Sequence, residues 1–277
     1  MTIKSLVATL AAVGVVLSAA PLQAGQLPDA IQKSGTLHLS INATYPPLDF
    51  KDPDTNKIVG FDVDLAEALA AKLGLKIEWT DVPFAQLIPA LTTSRTDFIW
   101  SAISDTPARQ ETMDFVDYLK TGPQFYTLTS SAYDKPEDLC GKKVGSIRST
   151  QYPDLMRAWS ATHCEGAGKP AMDVVTGENS PDVRTQLKQG RIDGAVQGSE
   201  TIPYISKQEG GVFKMLGSPI APYYYGIAFR KDDKAFRDVI ADTLDGLIKD
   251  GTYKKLLDKW ELSAIGVTSL TINTQPR

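Results

Sequence analysis

Twice along this chain, short runs with strand character alternate with runs whose apolar residues recur at helical spacing, and this double alternation limits the fold more than any other feature. Residues 37–41 alternate polar and apolar side chains. Residues 62–73 then place Leu65, Ala66, Leu69, Ala70 and Leu73 on one helical face, with Gly74 as the stop signal. Residues 75–79 read as the next strand, Phe84, Leu87, Ile88 and Leu91 return to helical spacing, and residues 97–101 are strand-like again. This β-α-β-α-β order predicts an α/β unit, a mostly parallel sheet with helices on its faces.

A second unit follows a break. Residues 125–130 are extended, 133–141 are rich in turn formers, and 143–147 read as a strand leading into a helix with Tyr152, Leu155, Met156 and Trp159 on one face. Strands at 172–175 and 192–197 flank a helix that opens at Ser180-Pro181, a cap followed by proline in the first turn. Another extended run covers 223–230, and helices at 233–250 and 253–260 follow, the latter opened by Thr252. Two successive α/β units imply a cleft between them. Ligands of open parallel sheets sit beyond the carboxyl ends of the strands, so the loops after Ile41, Trp100, Ile147 and Gln197 are where a site is expected.

The N-terminus bounds the compartment. Lys4, an apolar run over 6–20 and the small-residue ending Leu22-Gln23-Ala24 have the form of a cleavable export signal over residues 1–24, too short to span a bilayer comfortably. With no cysteine at the cleavage point, a lipid anchor is not expected. The formal net charge of −4 becomes −5 without Lys4 and contains no long run of one sign, which argues against a nucleic acid or an anionic membrane as partner. The roughly 250 residues left suit one large or two modest domains. Cys140 and Cys164, an even pair in an exported chain, read as one disulfide whose loop entropy is worth about 3 kcal/mol, with two free thiols as the alternative. Because His38 and His163 are the only histidines, no zinc site is expected, and no cofactor is called for.

Several segments resemble, in order and spacing, the polar amino acid binding family of periplasmic solute-binding proteins. They are Tyr45-Pro46-Pro47, Gly60-Phe61-Asp62-Val63-Asp64-Leu65, Leu87-Ile88-Pro89-Ala90-Leu91 and Asp105-Thr106-Pro107-Ala108-Arg109. Further on come Asp138-Leu139-Cys140-Gly141-Lys142-Lys143-Val144-Gly145, Gly190-Arg191-Ile192-Asp193-Gly194-Ala195, and Asp250-Gly251-Thr252-Tyr253 ahead of Trp260. The set spans nearly all of residues 30–262. The resemblance implies a two-lobed periplasmic binding protein fold: one lobe from residues 25–120 and 223–277, a second from 121–222, and crossing strands near 119–131 and 218–225 as the hinge. It implies a monomeric periplasmic receptor, not an enzyme, that closes on a small carboxylate-bearing metabolite. The expected ligand is an amino acid or a derivative of one, delivered to the membrane permease of an ABC importer.

The resemblance also implies a site. Arg109 corresponds to the arginine that grips the ligand carboxylate, a task for which a planar fork of donors is suited. Ser101, Ala102 and Ser104 complete that cradle, while Tyr45 and Phe84 correspond to aromatic rings that sandwich the ligand's side chain. Ser149, Thr150 and Gln151 lie where a strand turns into a helix, whose free N–H groups suit an anion; Thr150 can equally cap that helix. Trp100 reads as core and Arg148 as a solvated charge. Asn42 and Gly198 stand at site positions but depart from the family pattern. Relatives specific for basic ligands carry an aspartate at the first, and most of the family carries at the second an aspartate that pairs with the ligand ammonium. Either another acid such as Glu200 substitutes, or the ligand is not a standard α-amino acid. A dehydratase acting on prephenate or arogenate on the same scaffold is the alternative function, with Glu200 as its only nameable general acid.

Overall fold

The computed structural model describes residues 27–273; the expected export signal over 1–24 lies outside them. Two larger sheets form the framework. The first runs in the order Gly266–Ile272, Met113–Thr121, Tyr223–Arg230, Phe98–Ile99, Thr36–Ile41, Lys76–Asp81. The second runs Asp173–Gly177, Lys143–Ile147, Gly194–Gly198, Pro123–Leu128, Phe213–Leu216. A small antiparallel sheet of Thr44–Tyr45, Asp49–Lys51 and Ile58–Val59 sits beside the first.

The expected α/β units are present, in sheets that are mixed. Thr36–Ile41 pairs in parallel with Lys76–Asp81 and Phe98–Ile99, and Lys143–Ile147 does so with Asp173–Gly177 and Gly194–Gly198. These strands are linked through helices, and a helical crossover returns the chain in the same direction. The remaining pairings are antiparallel, because they involve the strands by which the chain passes between the sheets and returns. Met113–Thr121 leads through Gly122 into Pro123–Leu128, and Phe213–Leu216 leads back into Tyr223–Arg230. The two passages touch at Gly122. A Cβ there would stand 2.7 Å from the Ala221 carbonyl oxygen, so only glycine lets the backbones approach this closely.

The helix Phe61–Leu73 buries Phe61, Val63, Leu65, Ala66, Leu69 and Ala70 against the first sheet, the face its spacing predicts, and Gly74 closes it at φ 68°. At its other end, Phe61 and Asp62 N–H groups bond the carbonyls of Pro47 and Leu48 at 3.0 and 2.9 Å. Gly60 lies so close to Leu48 that a Cβ would meet its carbonyl oxygen at 2.1 Å. This docking fixes the segment around Asp49 to the start of the helix. In the second unit, helix Ser180–Lys188 is capped by Asn179, whose side chain accepts from the Asp182 N–H at 2.9 Å; Ser180 is the first helical residue, one place on from the expected cap. Thr252 likewise is the first residue of Thr252–Lys259, after Gly251 at φ 82°. Cys140 and Cys164 form the expected disulfide, joining the turn Pro136–Leu139 to the end of helix Tyr152–His163. Among the described residues no helix is long and apolar enough to cross a membrane.

Rings close one side of the interface between the units. Phe50 of the small sheet lies 5.8 Å from Tyr204, in the helix Thr201–Gln208 beside the second sheet, and 6.0 Å from Trp260 (centroid distances). Trp260 is held from behind by its indole N–H to Asp64 Oδ2 at 2.7 Å.

Candidate ligand-binding site

The strand-end loops converge as expected. The loop after Phe98–Ile99 is stitched to Tyr223–Arg230 by Asp105 N–H to the Tyr224 carbonyl at 2.9 Å and Gly226 N–H to the Ile103 carbonyl at 3.1 Å. Within it Ala102 takes the left-handed conformation, φ 43°, and gives its N–H to Asp62 Oδ2 at 2.9 Å. The Ser101 hydroxyl accepts from Asn42 N–H at 2.9 Å and donates to Asp49 Oδ2 at 2.8 Å. Opposite, the turn from Lys143–Ile147 into its helix has Ser149 at φ 64°, and Thr150 Oγ1 donates to the Ile147 carbonyl at 2.7 Å while accepting the Tyr152 N–H at 3.3 Å. Thr150 thus serves the turn and also lines the cavity.

Asn42, Tyr45, Phe84, Ser101, Ala102, Ser104 and Thr150 surround one cavity, together with Thr44, Asp49, Ile147 and Tyr152. Its free space, about 20 Å³ for the centres of water-sized molecules, takes roughly one water, so this arrangement has no room for a larger molecule. Arg109 stands just outside the lining and touches it. Its guanidinium carbon lies 5.7 Å from the centroid of the Phe84 ring, Nη1 donates to the Ser104 carbonyl at 2.8 Å, and Nη2 to the Ser149 carbonyl at 3.4 Å, reaching both walls. Burial pulls its pKa down to about 10, which leaves it charged at neutral pH.

Besides Arg109, three expected residues do not line the cavity. Ser149 is exposed and meets Arg109 through its carbonyl. Gln151 is half-buried with an Nε2 that finds no partner among the described residues. Gly198 gives its N–H to the Tyr45 hydroxyl at 2.9 Å, and its carbonyl accepts from Thr201 Oγ1 at 2.9 Å. The space a side chain would need at 198 is taken: a Cβ would stand 2.1 Å from Glu200 Oε1. Trp100 is buried core, and Arg148 pairs with Glu178 at 2.8 Å on the surface, as expected of a solvated charge.

Tyr45 belongs to a cluster that the sequence did not reveal. Its hydroxyl lies 3.1 Å from that of Tyr152 and 3.2 Å from that of Tyr225; Tyr223 lies 2.6 Å from Tyr152 and 3.0 Å from Tyr225. The cluster ends on Glu200, whose Oε1 accepts from Tyr225 at 3.0 Å and whose Oε2 accepts from the Thr121 hydroxyl. Burial raises the pKa of all four phenols and of Glu200. On the other wall, burial and then Asp62 hold Asp49 well above the ordinary carboxylate range, and burial raises Asp62 itself to about 7. Thr44, Asp49 and Tyr152 were missed as site residues. By spacing Tyr152 belongs to an apolar helix face, and nothing in a sequence marks a carboxylate beside a turn as buried.

Two mixed sheets joined by two adjacent passages, with a cavity between their strand-end loops, define the class of two-lobed periplasmic binding proteins. Within that class the chain belongs to the bacterial extracellular solute-binding proteins, family 3, whose family model matches residues 37–263. It is 28% identical over 252 residues to the arginine-binding protein ArgT of Corynebacterium glutamicum, covering 90% of this chain and 82% of that one. Two solved structures of an ancestral arginine-binding protein are also similar. The arginine-bound one has a TM-score of 0.72 at 33% identity, and the glutamine-bound one 0.73 at 32%; each alignment covers 82% of this chain and 98% of theirs. These relatives bind amino acids, and the dehydratase alternative is not favoured. Glu200, the acid it would need, does not line the cavity.

Proposed function

We propose that this chain is the periplasmic receptor of an ABC importer and closes its two lobes on an α-amino acid, with the ligand's α-carboxylate held by Arg109. The observation that carries this reading is Arg109 itself: a charged guanidinium, tied to carbonyls on both walls and set over Phe84, at the edge of a cavity lined by Ser101, Ala102, Ser104 and Thr150. A carboxylate arriving there exchanges carbonyl acceptors for an ionic one, and a charge-assisted bond is worth about 1.5 to 3 kcal/mol. Tyr45 and Phe84 flank the ligand's side chain. The lobes comprise residues 25–120 with 223–277, and 121–222, and they separate about the passages at Gly122 and Ala221. The leader over 1–24 directs export, and the receptor works as a monomer that presents its closed form to the permease.

A thermal-shift screen of amino acids, keto acids and dicarboxylates tests this. A ligand at 100 times its dissociation constant adds about 2.7 kcal/mol of stability, and amino acids are the expected hits. Small-angle scattering with the best of them is expected to show a smaller radius of gyration; an unchanged profile at saturation contradicts closure.

A further inference from the structure

We propose that Asp49 is the counter-charge for a cationic ligand side chain, so that the cleft selects α-amino acids ending in an ammonium or guanidinium group. The proposal rests on the reading above that an α-amino acid is bound. Asp49 lines the cavity beside Asn42 and Thr44, yet its side chain is fully buried, 0% exposed. Oδ2 accepts from the Ser101 hydroxyl at 2.8 Å, whereas Oδ1 has no hydrogen-bond partner among the described residues. A buried carboxylate oxygen without a donor is costly, and structures retain one where something else supplies the donor. The backbone keeps it there: Leu48 accepts from Asp62 N–H at 2.9 Å, and Gly60 packs against the same carbonyl.

The surrounding charges sharpen the argument. Asp62 and Asp81 are the acids whose fields reach Asp49, and Lys51 pairs with Asp81 at 2.7 Å. Asp62 is already engaged, accepting from the Tyr118 hydroxyl at 2.8 Å and from Ala102 N–H at 2.9 Å. A cation placed at Oδ1 offsets the desolvation, supplies the missing donor and relieves the repulsion between acids. Asn42 has nothing to offer in its stead, since Nδ2 donates to the Val82 carbonyl at 2.9 Å and Oδ1 accepts from Thr44 at 2.7 Å. The charge absent at 42 is thereby present at 49, on the same wall and one serine away.

Calorimetry with arginine and citrulline, which share shape and differ in charge, tests the proposal on the unmodified protein, with lysine and glutamine as a second pair. Arginine or lysine is expected to bind about a hundredfold more tightly than its neutral counterpart. Asp49→Asn is expected to keep the Ser101 contact and abolish that preference. Titrations in two buffers of different ionisation heat are expected to show a proton released on binding arginine, and none in Asp49→Asn. If citrulline or glutamine binds as tightly as the cations, the amino acid reading stands and this proposal falls. It falls too if a folded Asp49→Asn still prefers arginine. If no amino acid binds, both fall together. Should Asp49→Asn not fold, the arginine–citrulline ratio and the proton count on the unmodified protein decide alone.

Discussion

Asp49 and Glu200, the buried acids on opposite sides of the cleft, differ in what surrounds them. Glu200 has both oxygens satisfied, by Tyr225 and by Thr121, and behind those donors stand three more phenols. Asp49 has one oxygen satisfied and one without a partner among the described residues, and it lines the cavity. Both were costly to bury, but only one has its cost met from within the chain. The difference separates an acid held by the chain's own donors from one that leaves a place for something else, a distinction that burial alone does not draw.

The comparison presupposes an anchor for the ligand's other end, and the largest expected effect lies there. Arg109→Ala should cost about 2 to 5 kcal/mol of binding with the fold intact, and Arg109→Lys should restore little, because an ammonium lacks the planar fork. Near-normal affinity for Arg109→Ala by calorimetry would remove the anchor. Next, reducing Cys140–Cys164, a link across 24 residues, should destabilise the protein by about 3 to 4 kcal/mol on loop entropy while leaving ligand preference unchanged. An altered preference would show that the Glu200 side is not the preformed wall it is taken to be.

The Asp49 side should show itself in pH dependence. Asp62 is raised from 3.8 to about 7, so its contribution to stability is fully present below about pH 4 and is lost as pH rises through about 7. Asp49 is raised in the same direction. Melting temperature should therefore decline from mildly acidic to neutral pH, and Asp62→Asn should flatten that decline; a flat profile in the unmodified protein would contradict it. The smallest effect on binding is expected for Glu200→Gln, which keeps an acceptor for Tyr225. Its affinity should change by less than about tenfold, with a stability loss of about 1 kcal/mol. A loss as large as that at Arg109 would make Glu200 a ligand partner and erase the contrast with Asp49.

The parts of the fold that bury one face were legible, since a helix such as Phe61–Leu73 and a strand such as Lys76–Asp81, whose exposed and half-buried residues alternate over most of its length, write their burial into residue spacing. Met113–Thr121 hides its start because it buries Asp114 and Asp117 among its apolar residues. Asp114 is neutralised from afar, by Lys231 at 3.0 Å and Arg237 at 2.6 Å. Gly266–Ile272 escaped notice for the opposite reason, being partly exposed along its length. The site divides in the same way. Asn42, Tyr45, Phe84, Ser101, Ala102, Ser104 and Thr150 follow from strand ends and family spacing, and they meet around the cavity. Asp49 and the tyrosine cluster depend on contacts between residues up to 180 positions apart, which no local pattern carries.

The ring contact between Phe50, Tyr204 and Trp260 gives the molecule a gauge of its own opening. If the lobes separate as proposed, Trp260 and Phe50 stay with one and Tyr204 goes with the other, which withdraws one ring and admits solvent to the indole. Indole emission moves to longer wavelength in a wetter setting, so Trp260's share of the emission from the chain's four tryptophans, isolated by comparison with Trp260→Phe, is expected to register that separation with no label attached.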